Sequence, residues 1–85
     1  MKSLSFVIRD EIGLHARPAG LLVKEAAKFS SSVTVATNNK KVDAKKIFGI
    51  MSLGAKCGDE LAIEVSGDDE DAAVEALEKF LNDNL

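Results

Sequence analysis

With 85 residues, 46% of them hydrophobic and 29% charged, the chain has room for one compact domain over residues 1–85 and lacks the composition of a disordered segment. A net charge of −3 argues against nucleic acid as the main partner, because duplex binding is driven by clustered Lys and Arg displacing counterions. The single Cys57 cannot close an internal disulfide and is read as a small, partly buried hydrophobe, and no apolar run resembles a signal sequence or reaches the about 18 residues of a membrane span, so a cytoplasmic location without membrane insertion is expected.

In chain order, Leu4, Phe6 and Ile8 alternate with polar neighbours and define a half-buried first strand over residues 3–9. Asp10 to Leu14 reads as a loop. From Ala16 to Phe29, the residues Ala19, Leu22, Val23, Ala26 and Phe29 recur at helical spacing. Pro18 fixes the start of that helix, since proline is tolerated in a first turn whose N–H groups lack partners. Val33 and Val35, then Asn38-Asn39, then Val42 and Ala44 read as a hairpin whose two asparagines accept positive φ. Lys45 to Leu53 is a short helix stopped by Gly54 in a left-handed position. Leu61, Ile63 and Val65 form a fourth strand, and residues 67–71 supply a capping side chain and first-turn acids for a last helix. On that helix Ala73, Leu77, Phe80 and Leu81 face inward. The order βαββαβα, with one apolar face per strand, implies an α+β open-faced sandwich.

The only histidine, His15, falls in Gly13-Leu14-His15-Ala16-Arg17-Pro18-Ala19, at the junction of loop and helix. Free backbone N–H groups and the positive end of the helix dipole converge there and favour an anion. A nitrogen of the neutral imidazole can attack phosphorus, and the Arg17 guanidinium can bind the phosphate oxygens that result. Taken alone, such a histidine is more often a cap or a packing residue. It cannot hold a metal, because no cysteine or carboxylate cluster accompanies it to complete a coordination shell.

Charge is uneven along the chain. Most acidic residues lie from Asp59 onward, whereas Arg17, Lys24, Lys28, Lys40, Lys41, Lys45 and Lys46 precede it, so one face is expected to be locally basic and suited to phosphate. The second informative segment, Lys45 to Gly54, crowds five large apolar residues into about two turns. A helix that short buries Ile50 and Leu53 and leaves Phe48, Met51 and Ile47 for partner docking. Leu21 is likewise outside the apolar stripe of the first helix.

Over all 85 residues, and most specifically in Gly13-Leu14-His15-Ala16-Arg17-Pro18-Ala19 and Lys45-x-Ile47-x-Gly49-Ile50-Met51-Ser52-Leu53-Gly54, the chain resembles the histidine-containing phosphocarrier (HPr) family of the bacterial phosphoenolpyruvate-dependent sugar phosphotransferase system. The resemblance implies a four-stranded antiparallel sheet of order 1-4-2-3 with three helices on one face. It implies that phosphorylated Enzyme I donates to Nδ1 of His15 and that a sugar-specific Enzyme IIA accepts. The protein would then be a carrier rather than an enzyme, needing no cofactor; a monomer is the default expectation for its oligomeric state, which the sequence leaves open. Ala16, Arg17 and Pro18 would border the phosphoryl group, and Leu21, Lys24, Ile47, Phe48 and Met51 would form the surface shared by both partners.

One departure concerns regulation. Many relatives carry a serine, phosphorylated by a kinase, where this chain has Lys46; lysine cannot accept that phosphate, and its charge is the opposite of the one phosphorylation adds. Ser52 is read as a surface or helix-end hydrogen-bonding residue. Two other readings stand beside the sugar carrier: a paralogue serving a signalling phosphorelay with the same His15 and Arg17, and an interaction module in which His15 is only a cap.

Overall fold

Two-residue alternation, where one side of each strand is apolar, calls for a sheet with one wet face and one covered face. The computed structural model, which describes residues 1–85, has that architecture. Its elements are β1 (Lys2–Val7), α1 (Ala16–Ala27), β2 (Ser32–Thr37), β3 (Lys40–Asp43), α2 (Ile47–Ser52), β4 (Glu60–Ser66) and α3 (Glu70–Asn84). The strands lie in the order β1-β4-β2-β3, every neighbour antiparallel. Register places Leu4 opposite Ile63, Val33 opposite Val65, and Val35 between Ile63 and Val42. These side chains point toward the helices and form the core with Leu22 and Ala26 of α1, Ile50 of α2, and Ala73, Leu77 and Leu81 of α3. Each fully buried leucine contributes about 2 kcal/mol by leaving water. The other sheet face carries small or polar exposed residues, among them Ser3, Ser5, Ala62 and Ser66, so nothing drives a second layer onto it.

Local chemistry explains most boundaries. Asn38 and Asn39, with φ of 53° and 64°, make the tight turn between β2 and β3, a conformation that asparagine tolerates better than most residues. Gly54, with φ of +61°, ends α2 as the sequence implies.

Several expectations need correction. The first strand stops at Val7 rather than Arg9. Ile8 remains buried, but its N–H donates to Asp59 O and its carbonyl accepts from Gly58 N, a loop rather than a strand partner. α1 ends at Ala27 rather than Phe29, because the Lys28 and Phe29 amides bond three residues back, to Glu25 O and Ala26 O, and tighten the last turn. α2 begins at Ile47 rather than Lys45, since the Lys45 amide is taken by the Asp43 carboxylate (2.8 Å) and the Lys46 amide by Asp43 O. Phe80 faces inward as expected, packed against the core though only half-buried. Cys57 is exposed: it lies on a turn closed by the Asp59 carboxylate on the Lys56 amide (2.9 Å), which holds the thiol outside the core.

The capping expectation for α3 also changes. Asp69 is the residue before the helix, yet its carboxylate makes no cap bond. Instead it reaches back across the fold, accepting from the Ser30 amide (2.9 Å), the Ser31 amide (3.0 Å) and the Ser31 hydroxyl. These donors stabilise the ionised form, the Ser31 hydroxyl most and then the Ser30 amide, and lower the Asp69 pKa to about 2. The latch joins the end of α1 to the start of α3.

Candidate functional site

The loop before α1 is pinned from two sides. From one, the Arg9 and Asp10 amides donate to the main-chain oxygen of Leu85 at 2.7 and 2.9 Å. From the other, the Leu14 amide donates to Ala55 O at 3.0 Å. Between these anchors Asp10 closes a turn: its carboxylate accepts from the Ile12 amide (2.9 Å) and its carbonyl from the Gly13 amide (3.0 Å). Gly13, at φ +84°, has no room for a side chain, because a Cβ would stand 2.6 Å from Ala55 O and 2.8 Å from Lys56 Cα. Only glycine fits where the loop passes this close to the Ala55–Lys56 backbone.

His15 follows as the N-cap residue of α1, extended at φ −106° and ψ −173°, with no cap bond from its side chain. Its carbonyl accepts from Ala19 N (2.9 Å), while its half-buried imidazole has no protein hydrogen-bond partner. The Ala16 and Arg17 amides are first-turn donors without intrahelical partners, and no side chain caps them. The imidazole therefore lies at the positive end of a 12-residue helix. Arg17 is exposed and belongs to none of the four ion pairs in the protein. Its guanidinium is free to bind an anion.

His15, Arg17, Pro18 and Leu21 line one cleft of about 220 Å³ with Asp10, Asp83 and Asn84. At ~30 Å³ per water, that volume holds a phosphoryl group and several waters. Pro18 supplies a wall and a fixed φ, having no N–H to donate. A larger hollow of about 600 Å³ on the outer face of α3, between Ala72 and Asn82, contains none of the sequence-predicted site residues; its volume alone does not mark chemistry. No group of three or more His, Cys, Asp or Glu residues is placed to hold a metal ion.

Next to this cleft, α1 and α2 meet where glycine keeps α1 thin: a Cβ on Gly20 would stand 3.5 Å from Ile47 Cδ1. That approach brings Ile47 of α2 against Gly20 of α1, the residue before Leu21. Phe48 is 84% exposed, Met51 42% and Leu21 40%, and Ile47 is half-buried. Each of these exposed apolar side chains keeps the exposure that the sequence implied for it. Lys46 caps α2 without a side-chain bond, and Ser52 Oγ donates to Gly49 O at 2.6 Å, the helix-end role expected of it.

A family model described as the PTS HPr component phosphorylation site matches residues 2–83. This chain belongs to that family. It is 42% identical over 83 residues to the phosphocarrier protein HPr of Mycoplasma capricolum, covering 98% of this chain and 93% of that one. The crystal structure of HPr-C-His from Thermoanaerobacter tengcongensis superposes with a TM-score of 0.91 at 48% identity, over 96% of this chain and 92% of that one. A crystal structure described as an HPr dimer from the same organism is similar at a TM-score of 0.77 and 47% identity, over 98% of this chain and 95% of that one. An HPr phosphocarrier with the sheet order 1-4-2-3 is thus the established frame for the site.

The fold gathers His15, Arg17, Pro18 and Leu21 around one cleft, leaves Ala16 exposed at the head of α1, and sets Lys24, Ile47, Phe48 and Met51 along α1 and α2. Sequence reasoning missed Asp10, Asp83 and Asn84. Asp10 carried a weak signal as an Asp three residues before a Gly in a turn. Asp83 and Asn84 carried none, because only the return of α3 brings the other end of the chain to His15.

Proposed function

We propose that His15 accepts a phosphoryl group from phosphorylated Enzyme I and surrenders it to a sugar-specific Enzyme IIA, as a single-domain cytoplasmic carrier. The observation that carries this reading is an unpartnered, half-exposed imidazole at a helix start with two first-turn amides and an unpaired arginine beside it. Nδ1 attacks phosphorus in line with the leaving donor atom. The donor–phosphorus bond breaks as the Nδ1–phosphorus bond forms; the proton on the other ring nitrogen passes to solvent, and the leaving donor takes one up. The Ala16 and Arg17 amides and the Arg17 guanidinium bind the phosphoryl oxygens, while Pro18 limits the movement of the ring. Leu21, Lys24, Ile47, Phe48 and Met51 form the docking face for both partners. Such a shared surface suits brief, weak complexes. The phosphoryl group rides on His15 from one partner enzyme to the next, so the protein acts as a carrier rather than an enzyme, and no step calls for a cofactor.

Incubation with Enzyme I and phosphoenolpyruvate should give an acid-labile, base-stable adduct on His15, lost in His15→Ala. A native protein that stays unmodified beside active Enzyme I refutes the reading. Onward transfer to a sugar-specific Enzyme IIA separates it from a signalling relay, which would pass the group only to another partner. A monomer is expected by light scattering.

A further inference from the structure

The cleft beside His15 carries charges of both signs. Arg17 attracts a phosphoryl group, whereas Asp10 and Asp83 line the same cleft and repel it. Neither carboxylate is neutralised by a cation, since none of the ion pairs includes Asp10, Asp83 or Arg17. The side chain of Asp83 has no hydrogen-bond partner, and that of Asp10 has only the Ile12 amide at 2.9 Å. With the Asp10 carbonyl holding the Gly13 amide (3.0 Å) and its own amide on Leu85 O (2.9 Å), this bond ties the Asp10 carboxylate to the loop that carries His15. Asn84 does not offset the negative charge, because its side-chain amide is turned back to Phe80 O at 2.9 Å.

We propose that Asp10 and Asp83 set the phosphoryl-transfer potential of phosphorylated His15, destabilising the charged adduct so that the group is handed on rather than retained. The inference rests on the phosphocarrier reading and assigns two residues that act on the adduct through their field. A carrier in the middle of a relay needs both tendencies. With Arg17 and the helix start alone, the adduct would be held more tightly; the carboxylates offset part of that hold. Like charge in the adduct but not in the free imidazole shifts the equilibrium of transfer, because the repulsion is present in only one of the two states. Across a solvent-exposed cleft each carboxylate changes that equilibrium by a factor of about five, and salt screens the effect.

The test uses the full chain with Enzyme I at fixed ratios of phosphoenolpyruvate to pyruvate, reading the phosphorylated fraction by mass spectrometry under base-stable conditions. Asp10→Asn keeps an oxygen for the Ile12 amide and Asp83→Asn lies outside the loop, so both remove charge while keeping shape. At about 50 mM salt each variant should shift the equilibrium toward the phosphorylated carrier by roughly fivefold, and the double variant by roughly twentyfold. Near about 1 M salt the shifts should fall to less than about twofold. Unchanged equilibria in the double variant at low salt overturn the inference, and so does a shift that does not respond to salt, which would assign the effect to geometry. If Asp10→Asn fails to fold, Asp83→Asn alone decides by the same criteria. A native protein that takes no phosphoryl group overturns the phosphocarrier reading and this inference with it, whereas normal phosphorylation with unshifted variants overturns only the inference.

Discussion

Replacing Gly13 with alanine tests whether the close approach of the His15 loop to the Ala55–Lys56 backbone holds the site in place. Two costs can be worked out. A Cβ at φ +84° costs about 1 kcal/mol in backbone conformation. The same Cβ would stand 2.6 Å from Ala55 O and 2.8 Å from Lys56 Cα, both main-chain atoms, so the loop must withdraw. Withdrawal strains the 3.0 Å bond from the Leu14 amide to Ala55 O, worth about 1 kcal/mol. The total is about 2 kcal/mol, a fall in melting temperature of roughly 8–16 °C for a domain of this size. Gly54→Ala is the internal control. Its φ of +61° carries a similar backbone cost, but nothing lies within 4 Å of the added Cβ, so its loss should stay near 1 kcal/mol. Melting followed by circular dichroism measures both, and Enzyme I-dependent phosphorylation of Gly13→Ala below its transition should slow by about tenfold as the ring loses its position. Equal destabilisation by the two substitutions, or a Gly13→Ala cost below about 0.5 kcal/mol, refutes the reasoning.

Asp69 predicts an acid-sensitive latch. Its pKa, lowered to about 2 in the folded chain from an ordinary 3.8, means that the fold favours the carboxylate. That stability is complete at pH values well above 3.8 and is lost as pH falls through about 2. Asp69→Asn should flatten this limb of the acid-unfolding curve, and an unaltered slope would rule the latch out. Phe48→Ala removes a side chain that is 84% exposed, so stability should stay within about 0.5 kcal/mol while calorimetry shows about tenfold weaker binding to Enzyme I; lost stability with unchanged binding would place Phe48 in the core instead. Arg17→Ala should slow phosphoryl transfer at least about tenfold and leave the melting temperature unchanged, because Arg17 makes no ion pair in the fold. Wild-type transfer rates would remove Arg17 from the chemistry.

Particular residues show why some of this was legible in the sequence. Leu61, Ile63 and Val65 alternate because a strand exposes and buries its side chains with period two, and Asn38-Asn39 announces its turn through the φ it tolerates. Pro18 marks the start of α1 and thereby puts His15 at a helix end. Phe48 and Met51 were readable as surface because the six residues of α2 cannot turn all four of their large apolar side chains toward one core. The pairing of β1 with β4 came instead from the family resemblance, since no local pattern specifies it.

What the chain determined by itself was local: the type of each element, its apolar face, and the histidine at the head of a helix, all set by interactions within a few residues. What only the tertiary structure decided was long-range. The Asp69 carboxylate forsakes its own helix for Ser30 and Ser31, Cys57 is turned outward, and Asp83 reaches the His15 cleft from the far end of the chain. Those outcomes depend on which backbone donors and charges the folded chain brings within a few ångströms, and sequence separation carries no record of that distance.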